Sequence, residues 1–399
     1  MACSPTLPTM DRARPRSHPL RLRPHLSATL LLVLIHAPPA AAQRPPILQP
    51  AWVLNTDTVL INPRSIVVTD QCALWVLDPR TGVWRTSCRG DSLKLVGRVG
   101  RGPGEYVLPW MMSLASDTIA VWDQTLRRVT LFESAGTFLA SFPLGLSPSR
   151  EGRVEGFRLD QQLLVWTNNY PAGVFRPNEQ RSYVWRVDRA TGSADSIIVL
   201  PGPQSIIIRD DRSSSRIDAP FQRRPFVVFS QGHGIFVASN DSDVVRRYSV
   251  QGKVVASLRL QVPATPVHES DRAAYLDSAR AGYFEELSQQ PLSPEQREFF
   301  VRRWSEIQNA VRFPEARQRF DLLLLDDRGH LWIQLPSLRQ TYERRWRHYS
   351  PAGTLLEEVH VPHFGNVSSA TIRDGVLYTT ELRQATDQAR LAAYRRPDS

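Results

Sequence analysis

The sequence predicts an all-β fold, a six-bladed β-propeller carrying an inserted helical pair, and three observations point to it. A short phrase returns six times, β-rich runs gather in sets around it, and one long interval between copies changes to helical spacing. The phrase is an apolar residue, a second and mostly apolar or aromatic residue three positions on, and usually a glycine four further. It reads Val83, Thr86, Gly90; then Val129, Phe132, Gly136; then Val245, Tyr248, Gly252; then Trp346, Tyr349, Gly353. A looser copy is Val184, Val187, Gly192, and a truncated one is Leu391, Tyr394. Internal repeats of this length set architecture before local detail does.

Residues 1–42 read as a secretory signal peptide ahead of the propeller at 43–399. Arg12, Arg14, Arg16, Arg21 and Arg23 form a basic leader, Leu26 to Ile35 an apolar core, and Ala40 to Ala42 a small-residue cleavage site. That core is too short to cross a bilayer as a helix. Met10 offers an alternative start, and no cysteine follows the core to take a lipid. The whole chain carries a formal charge of +10; the leader holds five arginines and Asp11, leaving +6 on the rest. Such a balance without clustered cations does not indicate nucleic acid. Secretion or a periplasmic address, no membrane span and a monomer are expected.

The first unit runs from Cys72 to Cys88 as strand, turn and strand, with Pro79 and Gly82 between two β-rich runs. Folding at that turn brings the only two cysteines beyond the leader nearly opposite one another. In an oxidising compartment this predicts a Cys72–Cys88 disulfide. The second unit supplies runs at 110–116, 118–123, 128–133 and 137–142, and the fourth at 225–230, 235–239, 244–250 and 254–260. Four short antiparallel strands per unit, repeated about an axis, make a propeller blade. The repeat glycines lie 46, 56, 60 and 101 residues apart, and the last interval holds the insertion, about 268–313, between blades 4 and 5. There Ser293, Pro294 and Gln296 form a capping box with proline at the first helical position. Phe300, Trp304, Ile307 and Val311 follow on one helical face, and Ala274, Tyr275, Ala279, Tyr283 and Leu287 mark an earlier helix. The pair either covers a blade or forms a lid over one mouth of the central channel. The last unit shows three runs only, so the run at 51–61 is expected to complete its sheet and close the ring.

Gly97, Gly100, Gly102, Gly104, Tyr106 and Pro109, then Ile119 to Asp123, then Arg128 to Phe132 and Gly136, resemble the NHL-repeat propellers. The resemblance is close over 97–142, weaker in the fourth and fifth units and poor in the third. The exported six-unit layout is similar to bacterial NHL-like propellers of unassigned function. The glycines suit a sharp passage from one blade to the next. They lack the Lys-Ser or Lys-Thr ending of a phosphate loop.

Chemistry is harder to find. His360 and His363 lie three apart around Pro362, in a strand or loop, while His233 and His330 sit in turn patterns, and none has a third ligand in view. No Gly-x-Ser-x-Gly elbow occurs, and oxidised cysteines are not nucleophiles. No catalytic residue and no metal ligand is assigned on these patterns. Six-bladed lactonases and similar hydrolases hold calcium in the channel with Asp, Asn and Glu from several blades; a likeness to them would make Glu155, Asn168, Asn169, Asn240, Asp241, Asp243 and Glu381 candidates, and the same residue types also suit turns. Trp110, Trp122, Trp166, Trp185, Trp304, Trp332 and Trp346 are spread over the blades, as interblade packing requires. The polar connection 202–224 reads as a binding loop with Arg209, Asp210, Asp211, Arg212 and Arg216. The expected role is non-catalytic recognition of a protein, peptide or glycan, without a cofactor. The alternative is a calcium-dependent lactonase-like hydrolase or lyase using the channel.

Overall fold

The computed structural model describes residues 45–56, 59–115, 117–146, 153–159, 162–169, 180–209, 214–230, 232–288, 291–337, 343–383 and 388–397. Among them are six four-stranded antiparallel sheets. Five follow chain order from the inner strand outward, the inner strands of blades 1 to 5 being Ser65–Val68, Pro109–Ala115, Arg153–Leu159, Pro225–Ser230 and Leu322–Leu325. Blade 6 is built from Asn366–Arg373, Val376–Arg383 and Gln388–Arg395, and its outermost strand is Gln49–Asn55 from the other end of the chain. Each inner strand touches those of both neighbouring blades all the way round, so the ring is closed.

The repeated phrase is the third strand of each blade, and its spacing has a physical cause. Successive side chains on a strand point to opposite faces, so residues three apart face opposite ways. Val129 is buried in the cluster between blades 2 and 3, Phe132 in the one between blades 1 and 2. Trp346 and Tyr349 do the same on either side of blade 5, and Leu391 and Tyr394 on either side of blade 6. The core is therefore divided into clusters between successive blades, the last joining blade 6 to blade 1. A blade packed on both faces needs two apolar residues of opposite orientation on this strand.

The glycine ending the phrase turns the chain into the outer strand with positive φ, +79° at Gly252, where an added Cβ would meet the Ile197 carbonyl of blade 3. At Gly90, φ +71°, the missing side chain makes room for the ring of Trp52 on the closing strand. That ring donates to the Cys88 carbonyl at 2.5 Å, tying the closed blade to blade 1. The truncated sixth copy lacks the glycine because Gln49–Asn55, not a continuing chain, supplies the outer strand. Cys72 and Cys88 form a disulfide, Cα atoms 5.2 Å apart.

Between blades 4 and 5 stand helices α1, Glu269–Ser288, and α2, Pro294–Ala310. The capping box is present: Gln296 N donates to Ser293 Oγ, and Ser293 N to Gln296 Oε1. Trp304, Ile307 and Val311 are buried against Tyr275, Ala279 and Tyr283 of α1. The connection 202–224 differs from expectation. It is a β-hairpin, Ser205–Arg209 paired with Ser214–Asp218, and Ile206 packs into the helical cluster. Its charged residues suggested a solvated loop, but the β-branched run Ile206 to Ile208 favours a strand.

Candidate functional site

Every blade repeats one meander, so the first residues of all inner strands gather at one mouth of the channel. In three blades a β-bulge adds a residue there: Trp110, Glu155 and Ser368 each stand between two paired positions. A bulge re-aims the extra side chain, which is why such residues recur beside sites. The guanidinium carbons of Arg64 and Arg153 lie 3.8 and 3.9 Å from the Trp110 ring centroid. Arg153 also faces Glu155 at 3.7 Å. Across the mouth, Arg224, Asp321, Arg344, Asn366 and Ser368 line a cavity of about 500 Å³, with Tyr275 of α1 on its wall. α1 thus reaches this mouth.

The charges here act on one another. Burial raises the carboxyl of Glu155, an effect that Arg153, Asn168, Arg224 and Arg64 offset in part. Asp321 is likewise pushed up by burial, against Gln318, Arg344 and Arg224. Arg64 is pulled down by burial and then by the like charge of Arg153. Four arginines and two carboxyls with weakened acidity make a mouth of positive balance, favouring anionic groups.

Of the channel candidates, Glu155 and Asn168 come together in blade 3, while the others are occupied or lie elsewhere. Asn240 Oδ1 accepts from the Arg224 amide at 2.7 Å, and its amide group donates to the Gln222 carbonyl. This is a staple: at the same place in blades 1 and 2, Asp78 and Asp123 hold the preceding connection through the amides of Ile61 and Asn62, and of Val107 and Leu108. Asp241 accepts from Ser239, and Asp243 lies 4.0 Å from Arg259. Asn169 ends the strand Leu163–Asn169. In blade 6 Glu381 is fully buried, accepting from Phe364 N at 2.7 Å, Arg390 Nε at 2.8 Å, His363 Nδ1 at 2.8 Å, Thr379 Oγ1 at 2.8 Å and Tyr394 Oη at 2.7 Å. Arg209 and Arg216 fall on the hairpin, paired in register with Ser214 and Ile207; Asp210, Asp211 and Arg212 lie outside the described residues.

The histidines separate. His360, on the outer strand of blade 5, pairs with Glu343, whereas His363 turns into the core. His233 lines a shallow depression beside Arg247. His330 meets His348 at the opposite end of blade 5 from Asp321, with Nδ1 and Nε2 2.9 Å apart. Asp326 Oδ2 lies 3.4 Å from the first and 3.9 Å from the second. Between α1 and α2, Tyr283, Phe299, Phe300 and Trp304 line an apolar groove of about 530 Å³, and Tyr275 belongs to both this groove and the mouth. Sequence reasoning named Glu155 but missed the arginines of the mouth, because they come from separate segments of the chain that only the fold brings together.

No family model matches the chain, and no curated protein matches it in sequence. Solved structures do. A member of the DUF4221 family from Bacteroides vulgatus superposes with a TM-score of 0.50 at 8% identity, covering 88% of this chain and 99% of its own. A Bacteroides fragilis protein gives 0.46 at 14% identity, over 88% and 95%, and a luciferin-regenerating enzyme 0.46 at 11% identity, over 87% and 95%. The likeness is one of fold. It assigns no activity to the arginines of this mouth. No helix among the described residues is long and apolar enough to cross a membrane.

Proposed function

We propose that this chain is an exported, monomeric NHL-like propeller that recognises a carboxylate-bearing ligand, an acidic peptide or glycan, at the channel mouth without transforming it. The observation that carries the reading is a set of four arginines at the mouth, Arg224 and Arg344 lining its polar cavity and Arg64 and Arg153 held over Trp110, with the carboxyls of Glu155 and Asp321 among them. Planar guanidinium groups bind carboxylates through paired hydrogen bonds, and Trp110 holds two of them at the mouth. The basic leader and the Cys72–Cys88 disulfide support export. The calcium-dependent hydrolase fits this mouth less well. Asn240 and Glu381 already spend their oxygens on amides and side chains, and Glu155 stands among arginines that repel a divalent cation.

The test is calorimetric titration of residues 43–399 with oligogalacturonates and, separately, with glutamate-rich peptides. Saturable binding by one class, weakened about tenfold or more in Arg153→Ala and Arg224→Ala and falling with salt, is expected. Absence of binding to both, or binding unchanged in both variants, overturns the reading.

A further inference from the structure

We infer that blade 5 carries, at the end of the ring opposite the channel mouth, a site for a divalent first-row transition metal held by Asp326, His330 and His348. The three ligand atoms are His330 Nδ1, His348 Nε2 and Asp326 Oδ2, separated by 2.9, 3.4 and 3.9 Å. A tetrahedral ion with bonds of about 2.0–2.1 Å needs ligand atoms roughly 3.3 Å apart, and these separations straddle that value. Two imidazoles and one carboxylate suit zinc and its neighbours, not calcium or magnesium. All three side chains are partly exposed, His330 the most at 24%, so a metal can enter and a fourth position stays open to water.

The surroundings hold the three groups in place. Oδ1 of Asp326 accepts from the amides of Arg328 at 3.0 Å and His330 at 2.8 Å, which leaves Oδ2 turned toward the histidines. Trp332 steadies both ends: its Nε1 donates to that Oδ2 at 3.2 Å, and its ring stacks on His348 at 4.1 Å and 14°. Behind His348, Glu357 Oε1 lies 3.0 Å from Nδ1, and Arg396 pairs with Glu357. A carboxylate behind a histidine is the common outer support of a metal-binding imidazole, fixing its tautomer and raising its basicity. With its Nδ1–H given to Glu357, His348 presents a bare Nε2 to the site. Without metal, His330 Nδ1–H donates to that nitrogen. Metal takes the place of this proton when His330 carries its hydrogen on Nε2 instead.

The experiment uses the chain from residue 43, stripped with chelator and dialysed against Zn²⁺ alone, with bound metal counted. One zinc per chain is expected, together with the intense visible absorption of four-coordinate Co²⁺ when cobalt replaces it. His330→Asn and Asp326→Asn, on an exposed turn, should each lose tenfold or more in affinity. Failure of the wild type to take up one equivalent, or uptake unchanged in both variants, overturns the assignment.

Discussion

In blade 6 Glu381 meets His363 inside the core; in blade 5 Asp326 and Glu357 meet His330 and His348 at the surface. The residue types are nearly the same and the consequences differ. Around Glu381 every bond is internal. His363 gives Nδ1–H to the carboxylate and accepts from Trp346 Nε1 at 3.2 Å, so both ring nitrogens are spent on the protein and the ring is neutral. Burial pulls His363 down, against the pull of Glu381. In blade 5, His330 and His348 spend one nitrogen each on the other, and the third corner is a carboxylate in reach of solvent. A saturated cluster holds structure; an open one has room for a ligand.

The largest effect is expected where the closed cluster is broken. Glu381→Ala leaves Arg390, His363 and Tyr394 with lost acceptors in the interior, and should cost about 3–5 kcal/mol in urea unfolding. Asp326→Asn, measured without metal, keeps the turn and should cost less than about 1 kcal/mol. Equal losses would erase the distinction.

Acid should separate the clusters next. Burial alone would raise Glu381, but the hydrogen bond from His363, the charge of Arg390 and the hydrogen bond from Tyr394 hold it below the ordinary 4.5. A depressed carboxyl contributes stability above its unfolded pKa and loses it as pH falls below that value. His363, held neutral against an ordinary 6.5, acts in the same direction, because the unfolded chain takes up its proton first as pH drops below that value. Unfolding free energy followed from pH 7 to 3 should therefore fall steadily, and Glu381→Gln should flatten the lower part of the curve. A wild-type curve as flat as that of Glu381→Gln would contradict the ionised cluster. A smaller change, Tyr394→Phe, removes one donor to the carboxylate and should cost about 1.5 kcal/mol.

The fold was legible because it is periodic. Val129 with Phe132, or Trp346 with Tyr349, mark a strand buried on both faces, and the odd spacing follows from the pleat. Ser293 with Gln296 marked the start of α2 through chemistry local to four residues. The sites were not legible, since they depend on what register brings together. His330 and His348 look like two separate turn and strand residues; the pairing of Trp332 with His348 makes them diagonal neighbours on one face. That register could have been drawn from the strand–turn–strand pattern of blade 5, and it is the signal that was available. Trp110 and Glu155 are aimed by bulges, and a bulge leaves no mark in a strand's composition. Asn240 and Glu381 had the composition of ligands while serving as staples, a difference that only their partners reveal.

The smallest expected effect on stability sharpens the comparison from the other side. Arg224 is exposed at the mouth, and its backbone amide, not its side chain, is held by Asn240. Arg224→Ala should therefore change unfolding free energy by less than about 0.5 kcal/mol, as surface substitutions do. The neighbouring Asn240→Ala removes the staple, leaves the Arg224 amide without its acceptor and should cost about 1–3 kcal/mol. Reversal of that order would mean that the mouth is held together by its arginines. The expected order leaves them available to bind, with the cost of building the mouth carried by the groups behind it.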